Sequence, residues 1–159
     1  MRHAKSSWDD VDLADIDRPL NERGKRTAPF MGALMRRQEL VPDCIYSSTA
    51  KRARKTASLV RDGGAFEPEI TMVERIYEAS PNTLREVISH TDVACAAVLV
   101  VGHNPGIEGF IRYLTGSMEA MPTGAIAVID LKIDDWKELD ADTGNLIEIY
   151  RPREEMKRG

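Results

Sequence analysis

Eight consecutive apolar residues, Ala94 to Val101, stop abruptly at Gly102-His103-Asn104-Pro105-Gly106. A continuous run of this kind, rich in β-branched residues and without polar alternation, is the pattern of a strand covered on both faces. It calls for a sheet with helices above and below, and it leaves a histidine just beyond the strand's carboxyl end. The run is far too short to cross a bilayer, which takes about 20 apolar residues.

The remaining chain supplies elements that suit such a sheet. Asn21 caps a helix running to about Glu39, with Ala28, Met31, Leu34 and Met35 on its apolar side. Asp43 to Ser47 reads as a strand, and a helix follows from Thr49 to about Arg61, closed by Gly63 and Gly64. Residues 70–76 read as another strand. Ser80-Pro81 opens a helix with a capping hydroxyl and a proline at its first position, burying Leu84, Val87 and Ile88. A helix with Ile107, Phe110, Ile111 and Leu114 follows Pro105, and Ala125–Leu131 and Asn145–Tyr150 read as final strands. The alternation predicts an α/β fold, a three-layer α/β/α sandwich with a mostly parallel central sheet. No repeat or flexible linker divides the 159 residues, so a single domain over 1–159 is expected, with 151–159 as a mobile tail.

Charge and cysteine content narrow the function. Twenty-two Lys and Arg against 26 Asp and Glu give a net charge of −4, without the basic excess of a general nucleic-acid binder. No charged segment leads into an apolar stretch at the start, so no signal peptide is read and a cytoplasmic, soluble protein is expected, with no membrane partner. Cys44 and Cys95 form no CxxC pair, which argues against a disulfide scaffold or a cysteine zinc site.

Ligands of open α/β sheets bind beyond the carboxyl ends of the strands. The residues that follow the predicted strands there are Ser47-Ser48-Thr49-Ala50-Lys51-Arg52, Tyr77-Glu78 and Gly102-His103-Asn104, with Arg2-His3 at the start of the chain. Two histidines, two arginines and one carboxylate collected at one sheet edge suit an anion, above all phosphate. One imidazole would attack phosphorus, the cations would neutralise the equatorial oxygens, and a protonated carboxyl would serve the leaving group. This scheme uses no metal and no cofactor. There is no GxxxxGK[ST] loop, and neither cysteine has an arginine six positions on, since Ala50 and Val101 stand there. Asp15-Ile16-Asp17 is a weak aspartyl-nucleophile candidate, lying in a polar loop with no apolar strand before it.

Several ordered segments carry a family resemblance. Arg2-His3-Ala4-Lys5-Ser6-Ser7-Trp8, followed by Asp17-Arg18-Pro19-Leu20-Asn21-Glu22-Arg23-Gly24, resembles the RHG/RHA signature of the histidine phosphatase superfamily, which has the phosphoglycerate-mutase-like fold. This RHAKSSW variant is similar to that of the SixA-type phosphohistidine phosphatases. Ser47 to Ala57, Val101-Gly102-His103-Asn104-Pro105, Pro122-Thr123-Gly124-Ala125 and Arg151-Pro152 resemble further segments of that family, in its order. The resemblance implies that His3 is the phosphorylated nucleophile, that Arg2, Arg52 and His103 bind the phosphoryl oxygens, and that Glu78 is the proton donor. It also implies an apolar strand before the Arg-His pair, where only Met1 stands, so the first strand reads as shortened and its neighbours as lacking backbone partners. Trp8 is expected to be buried.

The expected function is a phosphatase acting on phosphohistidine or a phosphomonoester through a phosphohistidine on His3, its partner a phosphorylated protein or small phosphorylated substrate. A broad-specificity small-molecule phosphatase and a non-catalytic phosphate-binding module on the same fold are the alternatives.

Overall fold

The computed structural model describes residues 1–159 as five helices and five strands. In order these are α1 (Glu22–Arg37), β1 (Cys44–Ser47), α2 (Lys51–Gly64), β2 (Ile70–Met72), α3 (Pro81–Ser89), β3 (Val98–Val101), α4 (Gly106–Thr115), β4 (Ile126–Leu131), β5 (Gly144–Tyr150) and α5 (Pro152–Arg158). Asn21 and Ser80 cap α1 and α3 as expected, their side chains accepting from Gly24 and Thr83 backbone N–H groups.

Strands β2, β1 and β3 form a parallel sheet in that spatial order, with Ile45 opposite Ile70 on one side and Leu99 on the other. Both faces are covered. Ile45, Leu99 and Val101 join Met31, Leu34 and Val60 of α1 and α2 in one core. Tyr46 and Val100 pack against a second core containing Ile88 of α3 and Ile107, Phe110 and Leu114 of α4. Glycine makes the α1–α2 contact close, because a Cβ on Gly32 would collide with the Val60 carbonyl.

Strands β4 and β5 pair antiparallel as a separate two-stranded sheet. The first residues of the chain join the two sheets by backbone hydrogen bonds. The Gly102 N–H donates to the Met1 carbonyl (3.0 Å) and the His3 N–H to the Gly102 carbonyl (3.0 Å), in parallel with β3. On the other side Arg2 N–H donates to the Ala125 carbonyl (3.1 Å) and Gly124 N–H to the His3 carbonyl (2.9 Å). Beyond Met1, β3 and β4 are separated by an apolar groove of about 730 Å³, in which 24 of 29 lining residues are hydrophobic, among them Val100, Phe110, Val128 and Ile129. Met1 to His3 thus form a three-residue bridge between the two sheets.

Other expectations are corrected. Residues 94–97 are not strand: the Asp92 carboxylate takes the Ala94 N–H, and the Asp43 carboxylate takes those of Ala96 and Ala97. The strand expected over 70–76 ends at Met72 and passes into a 3₁₀ turn, Glu74–Ile76. Cys44 and Cys95 are joined by a disulfide with Cα atoms 6.2 Å apart, because β1 and β3 are neighbours and Cys44 lies opposite Val98. The segment expected as a mobile tail holds α5, whose Pro152 is buried. Trp8 is 68% exposed, its ring covered by the Arg18 guanidinium 3.2 Å from the centroid. No helix is long and apolar enough to cross a membrane.

Candidate active site

The bridge, the end of β3 and the start of α2 meet at one point. His3 is buried there, and its Nδ1 lies 2.7 Å from the Ala4 carbonyl oxygen. A carbonyl only accepts, so Nδ1 carries the proton and Nε2 keeps a free lone pair. Burial lowers the His3 pKa to about 3, with His103, Arg52 and Arg2 adding to the effect against the opposing Ala4 bond. The ring is neutral at pH 7, as a nucleophile must be.

His103 faces it across 5.1 Å between ring centroids. Its Nε2 lies 2.8 Å from the Ser48 hydroxyl, whereas its Nδ1 is buried with no partner. Burial first, then the Arg52 charge, lowers its pKa to about 4. Arg2 donates through Nη1 to the Met121 carbonyl (3.1 Å), and its Nε is buried without a partner. Met121 is itself held, its N–H donating to Glu108 (2.8 Å), which also accepts from Asn104 (2.8 Å).

Arg52 lies in the first turn of α2 and alone among the basic residues at 51, 52, 54 and 55 is buried. One turn later, the Thr56 hydroxyl donates to the Arg52 carbonyl (2.7 Å) and accepts the Ala4 N–H (2.9 Å). That hydroxyl ties the arginine's helix to the segment carrying His3. Arg2 and Arg52, with the unpartnered buried nitrogens Arg2 Nε and His103 Nδ1, make a cluster suited to an anion.

Sequence reasoning gave no role to Tyr77, Ser48 and Thr56 and read Asp15 only as a weak nucleophile candidate. Asp15 accepts from Arg52 Nη2 (2.9 Å), from the Tyr77 hydroxyl (2.6 Å) and from Arg18 (3.2 Å). The Tyr77 bond, followed by those of Arg52, lowers Asp15 to about 2, so it is a fixed anionic anchor for Arg52 rather than a nucleophile. Tyr77 presents its ring edge-on to His103 at 5.5 Å. Ser48 and Thr56 complete the set. None has a sequence signal of its own beyond following a strand or lying one helical turn from Arg52. The structure gathers His3, His103, Arg2 and Arg52, but Glu78 is exposed, with φ 54°, and hydrogen-bonds to none of them.

With this geometry in view, the likeness to known proteins is specific. Residues 1–86 match the histidine phosphatase superfamily (branch 1). The chain belongs to that superfamily. The matched part holds His3, Arg52 and Glu78 and stops before His103. An uncharacterised protein of Mycobacterium tuberculosis is 33% identical over 164 aligned residues, covering 96% of this chain and all of that one. Among solved structures, a candidate phosphohistidine phosphatase SixA from Agrobacterium tumefaciens is similar at 28% identity and TM-score 0.82, covering 96% of this chain and 95% of that one. The protein histidine phosphatase SixA complexed with tungstate shares the fold at TM-score 0.83 and 21% identity, covering 97% and 96%. The phosphoglycerate-mutase-like α/β fold expected from sequence is the one found.

Proposed function

We propose that the protein is a phosphatase that hydrolyses a phosphorylated side chain, phosphohistidine foremost, through a phosphohistidine formed on His3. The observation that carries this reading is the tautomer of His3: a buried, neutral imidazole with Nδ1 tied to the Ala4 carbonyl and Nε2 free, facing two arginines. Pure anion binding needs no such lone pair.

In the first step His3 Nε2 attacks phosphorus; a P–N bond forms while the bond to the leaving group breaks with its electron pair. Arg2, Arg52 and His103 hold the three equatorial oxygens as charge spreads over them. Glu78 is assigned as proton donor to the leaving atom, being the exposed carboxyl that follows Tyr77 in the chain. A phosphoramidate nitrogen is readily protonated and asks little of it. Water then attacks the phosphohistidine, giving its proton to the Glu78 carboxylate while the P–N bond breaks; inorganic phosphate leaves and Nε2 regains its lone pair. The cationic work falls to arginine side chains, so no metal is assigned to the reaction.

Two features favour a protein carrier. The connections at the site, residues 48–50 and 102–105, are short. The loop that reaches Arg52 through Asp15 also carries Asp9, Asp10, Asp12 and Asp17, with Trp8 and Val11 exposed, a surface poorly suited to a small free polyanion.

The test is hydrolysis of a phosphohistidine peptide and of p-nitrophenyl phosphate with EDTA present, by the chain and by His3→Ala, together with acid-quench trapping of labelled enzyme. The reading expects turnover and an acid-labile label in the intact chain and neither in the variant, with the peptide the better substrate. A faster rate on p-nitrophenyl phosphate supports the broad-specificity reading instead. Phosphate binding without turnover supports the non-catalytic module.

A further inference from the structure

The mechanism leaves unexplained why His103, though neutral, should act as a donor to phosphate, and Ser48 answers this. Ser48 is fully buried, and its hydroxyl oxygen has two neighbours: it accepts the Ala50 N–H (3.1 Å) and lies 2.8 Å from His103 Nε2. The hydroxyl has one proton to place. The backbone N–H of Ala50 offers no acceptor, so the only direction in which that proton is satisfied is toward His103 Nε2.

A ring nitrogen that accepts a hydrogen bond bears no proton. His103 is neutral near pH 7, burial holding its charged form down, so its single ring proton lies on Nδ1. Nδ1 is the atom that is buried without a protein partner, on a ring that feels the charges of Arg52 and Arg2. An N–H left unpaired in a buried setting is costly unless a ligand oxygen takes it.

We infer that Ser48 is a positioning residue that sets the tautomer of His103, holding Nε2 as an acceptor so that a neutral Nδ1–H points to a phosphoryl oxygen. This rests on the phosphate reading of the site above. It gives the two histidines opposite uses of one proton location: both carry it on Nδ1, but His3 spends it on the Ala4 carbonyl and exposes a lone pair, whereas His103 spends its lone pair on Ser48 and exposes the proton. One ring attacks phosphorus and the other holds an oxygen, with no net charge on either.

The test begins on the unaltered chain. Nitrogen-15 NMR of the imidazoles near pH 7, without ligand, should show His103 as the Nδ1–H tautomer. Vanadate, used as the probe, should then shift its Nδ1 and leave Nε2 unmoved. In Ser48→Ala the preference should be lost and kcat/KM should fall by about a hundred-fold, the order seen when one oxyanion donor is removed. Ser48→Thr retains the hydroxyl and should restore both the tautomer and most of the rate. A His103 found as the Nε2–H form in the unaltered chain overturns the inference, and so does an unchanged tautomer in Ser48→Ala. Since the NMR measurement needs no turnover and no variant, a chain that proves inactive, or a variant that does not fold, still leaves it decisive.

Discussion

The depressed pKa of His3 has a direct kinetic consequence when pH is lowered from 8 to 4. A histidine at its ordinary value of about 6.5 is only about 3% neutral at pH 5, which would cost a nucleophile about thirty-fold in rate. Burial places His3 at about 3, so at pH 5 nearly all of it keeps its lone pair. The kcat/KM profile on a phosphohistidine peptide, corrected for the ionisation of the substrate, should therefore show no loss of rate from His3 protonation between pH 8 and about 4.5. Proton NMR titration of the His3 and His103 rings should place both midpoints below 5. The same shifts bear on stability. The unfolded chain takes up these two protons near 6.5, the folded one only near 3 and 4. Between those limits the unfolded state binds more protons, so stability is complete above about pH 6.5 and is lost as pH falls toward 4. Each histidine contributes a slope of at most about 1.4 kcal/mol per pH unit between its unfolded and folded pKa values. Urea unfolding at pH 7, 6 and 5 measures the slope. A rate limb near 6.5 that tracks the His3 titration, or a midpoint of either ring near 6.5, would refute the reasoning.

Two other perturbations address different parts of the molecule. Replacing Arg52 with alanine removes a buried guanidinium from the phosphate wall and should lower kcat/KM by about two to three powers of ten, with the loss mostly in kcat; an effect confined to KM would assign it to ground-state binding. Placing about six apolar residues before Met1 should seat an added strand in the groove between β3 and β4 and raise Tm by at least about 5 °C, since each buried side chain is worth roughly 1.5–3 kcal/mol; a polar segment of the same length should give no rise, and equal Tm values for the two would exclude the seating.

Much of the site lies at positions the sequence announces. His103 follows an apolar run whose second half is the strand β3, and Arg52 stands one step inside a helix where Lys51, Arg54 and Lys55 face water. The groups that orient them are harder to see. Asp15 comes from a polar loop and reaches Arg52 and Tyr77 only through the folded path of residues 7–20, a path no periodicity describes. Ser48 and Thr56 look like ordinary polar residues until His103 and Ala4 are brought against them. The disulfide is hidden for the same reason, as its closure depends on which strands become neighbours. Residues 94–97 have the composition of a strand, but carboxylates of Asp43 and Asp92 claim their backbone donors, a tertiary and a local contact that outweigh β propensity. Trp8 misleads because a guanidinium from ten residues on supplies the cover that a core would otherwise give.

The bridge formed by Met1 to His3 makes the nucleophile a gauge of the distance between two sheets. Its main chain is fastened to Gly102 on one side and Gly124 on the other, and both hydrophobic cores cross the same line, Ile126 packing with Leu99 and Val101 and Ala127 with Val100. A slight parting along this seam would pull on the directional backbone bonds that place His3 before either core came apart. Displacements of about 1 Å at a reacting atom are enough to cost a hundred-fold in rate. Catalysis should therefore fade at lower urea or temperature than helix content does, so that the enzyme fails first at the joint and only later as a fold.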